Sequence, residues 1–119
     1  MTDAAPASFR LPRLAAPLYK VVFAQKWSAY GQTLTLWAAA LPDADRRVGV
    51  VVSKRTFRWA VDRNHAKRLL RETFRLSRHK LKPGVSVILI ARSGMGGKKC
   101  EAVMRDFEYA CRRARIWRD

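Results

Sequence analysis

The chain has 119 residues and sets 25 Lys or Arg against 9 Asp or Glu, a formal net charge of +16 at pH 7. Hydrophobic residues make up 49% of it, which describes one folded domain with a modest core rather than a basic tail. No apolar run approaches the roughly 18 residues of a membrane span, so the charge calls for nucleic acid or an anionic surface as partner, not for a lipid interior.

Residues 1–13, with their Pro and Ala, read as a flexible arm, and 14–119 as a single domain. The arm lacks the continuous apolar core of a signal peptide, which predicts a cytoplasmic protein. Pro17 suits the first turn of a short helix reaching about Lys26, and Tyr19 and Phe23 share one of its edges. Thr33 to Ala40 alternates as a strand does: Leu34 and Leu36 point one way, Thr33, Thr35 and Trp37 the other. A turn, LPDAD, leads to a β-branched strand over Val48–Val52, expected to pair with the strand before it. Val85–Ala91 is a continuous apolar run suited to an interior strand. A glycine-rich loop over Arg92–Lys99 then gives way to an amphipathic helix, Cys100–Arg115. The two cysteines of that helix lie too far apart along its axis to bond, which predicts reduced thiols on its apolar face.

Between the strand pair and Val85 lies Ser53–Leu81, a basic turn followed by one helix. From Lys54 to Lys82 there are eleven Lys or Arg and two acids, Asp62 and Glu72. At about 100° per residue, Lys67, Arg68, Arg71, Arg75 and Arg78 fall near Asn64, while Ala66, Leu69, Leu70, Thr73, Phe74, Leu76 and Leu81 fall opposite. A solvated basic face normally interleaves acids with its cations. Here like charges at helical spacing repel, and a row of phosphates neutralises them. The order αββαβα describes an α+β two-layer sandwich built on a small mixed sheet.

Catalytic and metal chemistry have little to stand on. His65 and His79 are roughly 21 Å apart along the helix. No Cys-x-x-Cys or His-x-x-x-His spacing occurs, and the acids are scattered. No catalytic residue and no metal ligand is assigned. The loop SGMGGKKC has Arg92 and Lys99 where a phosphate-binding loop needs Gly and Ser or Thr. Tyr19, Phe23 and Trp37 are each core candidates taken singly; together on a cationic protein they offer a stacking surface for unpaired bases.

The run Arg63-Asn64-His65-Ala66-Lys67-Arg68-Leu69-Leu70-Arg71-Glu72, after Val52-Ser53-Lys54-Arg55, closely resembles the signature of the bacterial ribonuclease P protein component. LYKVVF, RVGVVVSKR and VILIAR extend the resemblance over roughly residues 14 to 115. It implies the protein subunit of an endoribonuclease whose catalytic centre is RNA. That RNA, with bound Mg²⁺, removes the 5′ leader of precursor tRNA, and no obligate protein partner is implied. By resemblance Lys54, Arg55, Arg63, Asn64, Lys67, Arg68 and Arg71 face the RNA subunit, and Tyr19, Phe23 and Trp37 line a cleft for the single-stranded leader. The resemblance also implies a left-handed βαβ crossover, against the usual preference. A general structured-RNA binder would use the same stripe without the cleft. Two positions depart from the family pattern. His65 replaces the usual second Arg of Arg-Asn-Arg, so a contact that normally carries full charge is weakened there. Lys26 stands where the family usually has Gly.

Overall fold

A computed structural model describes residues 13–41 and 46–118. The expected arm, apart from Arg13, and the LPDAD turn after Leu41 lie outside the described residues. Arg13 forms an isolated parallel bridge to Val48. The elements run α1 (Ala16–Ala24), β1 (Ser28–Tyr30), β2 (Leu34–Ala40), β3 (Val48–Val51), α2 (Ala60–Ser77), β4 (Val85–Ala91) and α3 (Cys100–Arg113). Short 3₁₀ turns follow α2 at Arg78–Lys80 and β4 at Ser93–Met95.

The four strands lie in the order β1-β2-β4-β3, with β1/β2 and β2/β4 antiparallel and β3/β4 parallel. This corrects the expectation that β3 pairs with β2. Valines and isoleucines on both faces of β4 need cover on both sides, so β4 takes an interior place and separates the two. The shorter β3, with Gly49 at its middle, goes to the edge, and α2 is the crossover that makes it parallel to β4. The three-residue β1 is too short to show a period, and the sequence reading passes over it.

The sheet and the α2–α3 pair form the two layers of the sandwich. Leu34, Leu36, Ala38, Val87 and Leu89 meet Leu70, Phe74, Val103 and Phe107 in the main core. The first helix, α1, lies across part of the sheet's second face, where Val22 packs with Ala39 and Ile88. Asp106 of α3 ties the layers at the β1–β2 turn. Its carboxylate accepts from the Thr33 hydroxyl at 2.6 Å, the Thr33 amide at 2.7 Å and the Gln32 amide at 3.1 Å. Both thiols are free: Cys111 is buried and Cys100 half-buried. Burial, reinforced by Glu108, pushes the Cys111 thiol well above its ordinary value. No helix among the described residues is long and apolar enough to cross a membrane.

Candidate nucleic-acid interface

The basic segment is shaped by its ends. After β3, Ser53 closes a turn: its Oγ accepts the Thr56 amide at 3.1 Å, and its carbonyl accepts the Phe57 amide at 3.1 Å. That turn holds Lys54 and Arg55 out in solvent. The helix begins at Ala60, later than a turn-then-helix reading of 53–81 suggests, with Trp59 at the N-cap and no side-chain cap. Arg63 supplies the order instead. Its Nη1 donates to the Phe57 carbonyl at 3.0 Å and to the Arg58 carbonyl at 2.7 Å, fixing the turn from within the helix.

The buried stripe is Ala66, Leu70, Thr73, Phe74 and Ser77, with Leu69 and Leu76 half-buried at its margins. Leu70 and Phe74 are fully buried, each contributing about 1.5–3 kcal/mol, and they orient the opposite face. There Asn64 and Arg68 are exposed and Lys67 and Arg71 half-exposed. The cationic row is shorter than periodicity suggests. Arg75 pairs with Glu72. Arg78 falls just beyond α2, and its Nε donates to the Arg46 carbonyl at 3.0 Å. Among the described residues no ion pair or hydrogen bond engages the side chains of Lys54, Arg55, Lys67, Arg68 or Arg71. Those five are therefore available to an external anion, whereas Arg63 already holds two carbonyls.

Tyr19, Phe23 and Trp37 come together on the sheet's other face, as the alternation of β2 implies. Phe23 meets Trp37 edge-on, with ring centroids 5.2 Å apart and planes at 77°. Tyr19 lies over Gly49, leaving no room for a Cβ there. All three rings are half-buried, packed against the cluster of Leu14, Val22, Ala39 and Ile88 and still partly exposed.

The strand register adds a residue that the sequence reading missed. Tyr30 stands opposite Thr35, which aligns with Ile90 and then Val51; Trp37 stands opposite Ile88. Directly opposed residues share a face, and so do residues two apart, so Tyr30 lies on the aromatic face, diagonal to Trp37. It is 65% exposed, with the Arg92 guanidinium 5.0 Å from its ring centroid. Arg92 is held in turn by the Gly31 carbonyl at 2.6 Å. Only the pairing of β1, invisible to periodicity, reveals this.

These two faces define a small, strongly cationic α+β domain whose free charges and open rings suit a polyanion with planar bases. The family profile described as Ribonuclease P matches residues 13–115. Over 85 residues the chain is 41% identical to the ribonuclease P protein component of Pasteurella multocida, covering 71% of each chain. Over 83 residues it is 45% identical to that of Chromohalobacter salexigens, covering 69% of this chain and 64% of the relative. The solved RNase P protein of Staphylococcus aureus superposes with a TM-score of 0.76 at 20% identity, covering 92% of this chain and 99% of that one. The RNase P protein of Thermotoga maritima gives 0.72 at 20% identity over 82% of this chain and 92% of its own. At such identities the two structures establish a shared fold. The chain belongs to the ribonuclease P protein family.

Proposed function

We propose that this protein, as the protein subunit of the endoribonuclease ribonuclease P, works through two separate faces. The α2 face binds the ribonuclease P RNA, and the aromatic face holds the unpaired 5′ leader of precursor tRNA. The observation that carries the reading is the set of cations on α2 and its preceding turn, Lys54, Arg55, Lys67, Arg68 and Arg71, left without acidic partners among the described residues.

Five such contacts released to phosphate give a binding constant that falls steeply with salt, with a log–log slope of about −4 to −5. Asn64 adds a neutral donor and acceptor for a base or sugar. On the opposite face, Tyr19, Phe23 and Trp37 stack leader bases, each base worth about 1–3 kcal/mol, and Tyr30 with Arg92 extends the track by one position. Stacking tolerates any base, so this face suits leaders of varied sequence. Holding substrate and catalyst at once raises the effective concentration of the leader-bearing tRNA at the RNA's active centre.

In this reading Mg²⁺ is an ion held by the RNA and by the substrate phosphates. Among the described residues there is no group of three or more His, Cys, Asp or Glu side chains able to hold a metal, so no step is assigned to a protein ligand. The ion supplies charge neutralisation and an activated water when bound; the protein's own part is to bind and orient.

Reconstitution tests the assignment. The protein is added to a bacterial ribonuclease P RNA at low Mg²⁺ and precursor cleavage is followed. Cleavage at the mature 5′ end that rises with added protein supports it. No stimulation, or equal tightening of precursor and mature tRNA, would favour a general structured-RNA binder.

A further inference from the structure

A cavity of about 220 Å³ opens between the first turns of α2 and the glycine-rich loop after β4, lined by Phe57, Asp62, His65, Leu69, Met95 and Gly97. Met95 is 2% exposed and gives the cavity its depth, whereas Asp62, His65 and Gly97 are exposed and stand at its mouth. It is smaller than the roughly 300–1,000 Å³ sites that take drug-sized ligands, and it suits one planar ring system. Gly96 brings the loop against Phe57: a Cβ there would lie 3.6 Å from that ring. Exposed Lys98 and Lys99 follow directly, placing two cations beside the opening.

Asp62 is the group that the cationic face does not account for. It is one of two acids between Lys54 and Lys82, and the other, Glu72, is taken by Arg75. Among the described residues Asp62 has no hydrogen-bond or ion-pair partner for its carboxylate. In the first turn of α2 it complements the helix dipole, worth about 0.3–1 kcal/mol. On a surface that meets phosphates, however, a bare carboxylate repels the partner unless it accepts hydrogen bonds from it.

Guanine is the common base that supplies them. Its Watson–Crick edge presents two adjacent donors, N1–H and the N2 amino group, next to the acceptor O6. A carboxylate accepts both donors. An imidazole one helical turn further on, as His65 is, donates to O6. Adenine would set a ring-nitrogen lone pair against the carboxylate, and cytosine and uracil each offer a single donor group. Unpaired bases in folded RNA are recognised in this way, stacked on aromatic rings and bonded along their Watson–Crick edge.

We propose that the Phe57–Asp62–His65 cavity holds one unpaired guanine of the RNA subunit, read by Asp62 and His65. The proposal rests on the assignment of the α2 face to that RNA. It gives His65, which stands where the resemblance implies a second Arg, a chemical use: its imidazole reads a base edge.

The test compares the wild-type protein with Asp62→Ala and Asp62→Asn, each checked for folding by circular dichroism, on a transcribed bacterial ribonuclease P RNA. Unpaired guanines are probed with kethoxal, which reacts at N1 and N2. The wild-type protein should shield a guanine that the variants re-expose while the rest of the footprint stays. Binding should weaken about tenfold, as loss of a bidentate base contact does. The sign of the change decides the matter, because removing a negative charge from a +16 protein strengthens binding when that charge touches no base. Equal or tighter binding by the folded variants, or no guanine whose protection depends on Asp62, overturns the proposal. Asn keeps the side chain's size, so a folding loss confined to the Ala variant leaves the test standing. If the wild-type protein protects no part of the RNA, the assignment of α2 fails first and the cavity proposal falls with it.

Discussion

The Tyr19 hydroxyl lies over Gly49 so closely that a methyl group on the glycine would sit 2.4 Å from the oxygen. Because β3 presents no side chain at that point, α1 can settle onto the sheet and bring Tyr19 into the same face as Phe23 and Trp37. Gly49→Ala should push α1 outward and cost about 1–3 kcal/mol, the range for overpacking a close contact. In a Tyr19→Ala background the same change should be nearly neutral. A double-mutant cycle by urea unfolding measures the coupling directly. A glycine cost that persists without Tyr19 would place the strain in the strand itself.

Arg63 and Arg68 belong to one helix and one motif, yet Arg63 is engaged by two carbonyls of the preceding turn while Arg68 stands exposed. Arg63→Ala strips a charged donor from the Phe57 and Arg58 carbonyls and should lower stability by about 1.5–3 kcal/mol. Replacing Arg68 and Arg71 together should leave stability within about 0.5 kcal/mol of wild type. It should instead weaken RNA binding and flatten the log–log salt dependence by about 1.5–2. Urea melts beside a salt titration separate the two outcomes. Full stability in Arg63→Ala would show that the turn holds without its guanidinium.

Tyr30 is the most accessible aromatic on the proposed leader face, at 65% exposed, and Arg92 covers only one side of its ring. Tyr30→Ala should therefore reduce affinity for precursor tRNA about tenfold when the leader is long enough to reach β1, in keeping with one stacked base. Precursors with progressively shortened leaders should show that loss disappearing at a defined length, while losses from Trp37→Ala persist to shorter leaders. Tyr30→Phe should retain most of the affinity, since the ring does the stacking. A loss independent of leader length would assign Tyr30 to holding the sheet edge.

Periodicity located the groups whose role is set by local geometry. The alternation of β2 separated Trp37 from Leu34 and Leu36, and the helical stripe placed Leu70 and Phe74 inside and Arg68 outside. What it missed depends on contacts between distant segments. The place of β3 beside β4 follows from competition for the interior of the sheet, not from adjacency in the chain. Arg75 and Arg78 shared the angle of the free cations but are held by Glu72 and by the Arg46 carbonyl. Tyr30 gained its face only from pairing with Thr35. Asp62 and Met95 lie far apart in sequence and meet only because the loop after β4 folds back onto α2.

Lys26, where the resemblance implies glycine, is one of the described non-glycine residues with a positive φ. Its φ of 53° is left-handed, the conformation a glycine takes without penalty, and its amide donates to the Phe23 carbonyl at 3.2 Å. That bond, one residue past the C-cap Gln25, is half of the hydrogen-bonding pattern that glycine commonly completes at helix ends. A side chain in this region costs about 1–2 kcal/mol, and glycine returns about 0.5–1 kcal/mol of that through the greater freedom of the unfolded chain. Lys26→Gly should thus raise stability by about 0.5–1 kcal/mol, with Lys26→Asn in between, because the exposed lysine gives up no packing. Urea midpoints of the three proteins check the order. A glycine variant less stable than wild type would mean that the lysine ammonium makes a compensating contact at the end of α1, beside the rings that form the proposed leader face.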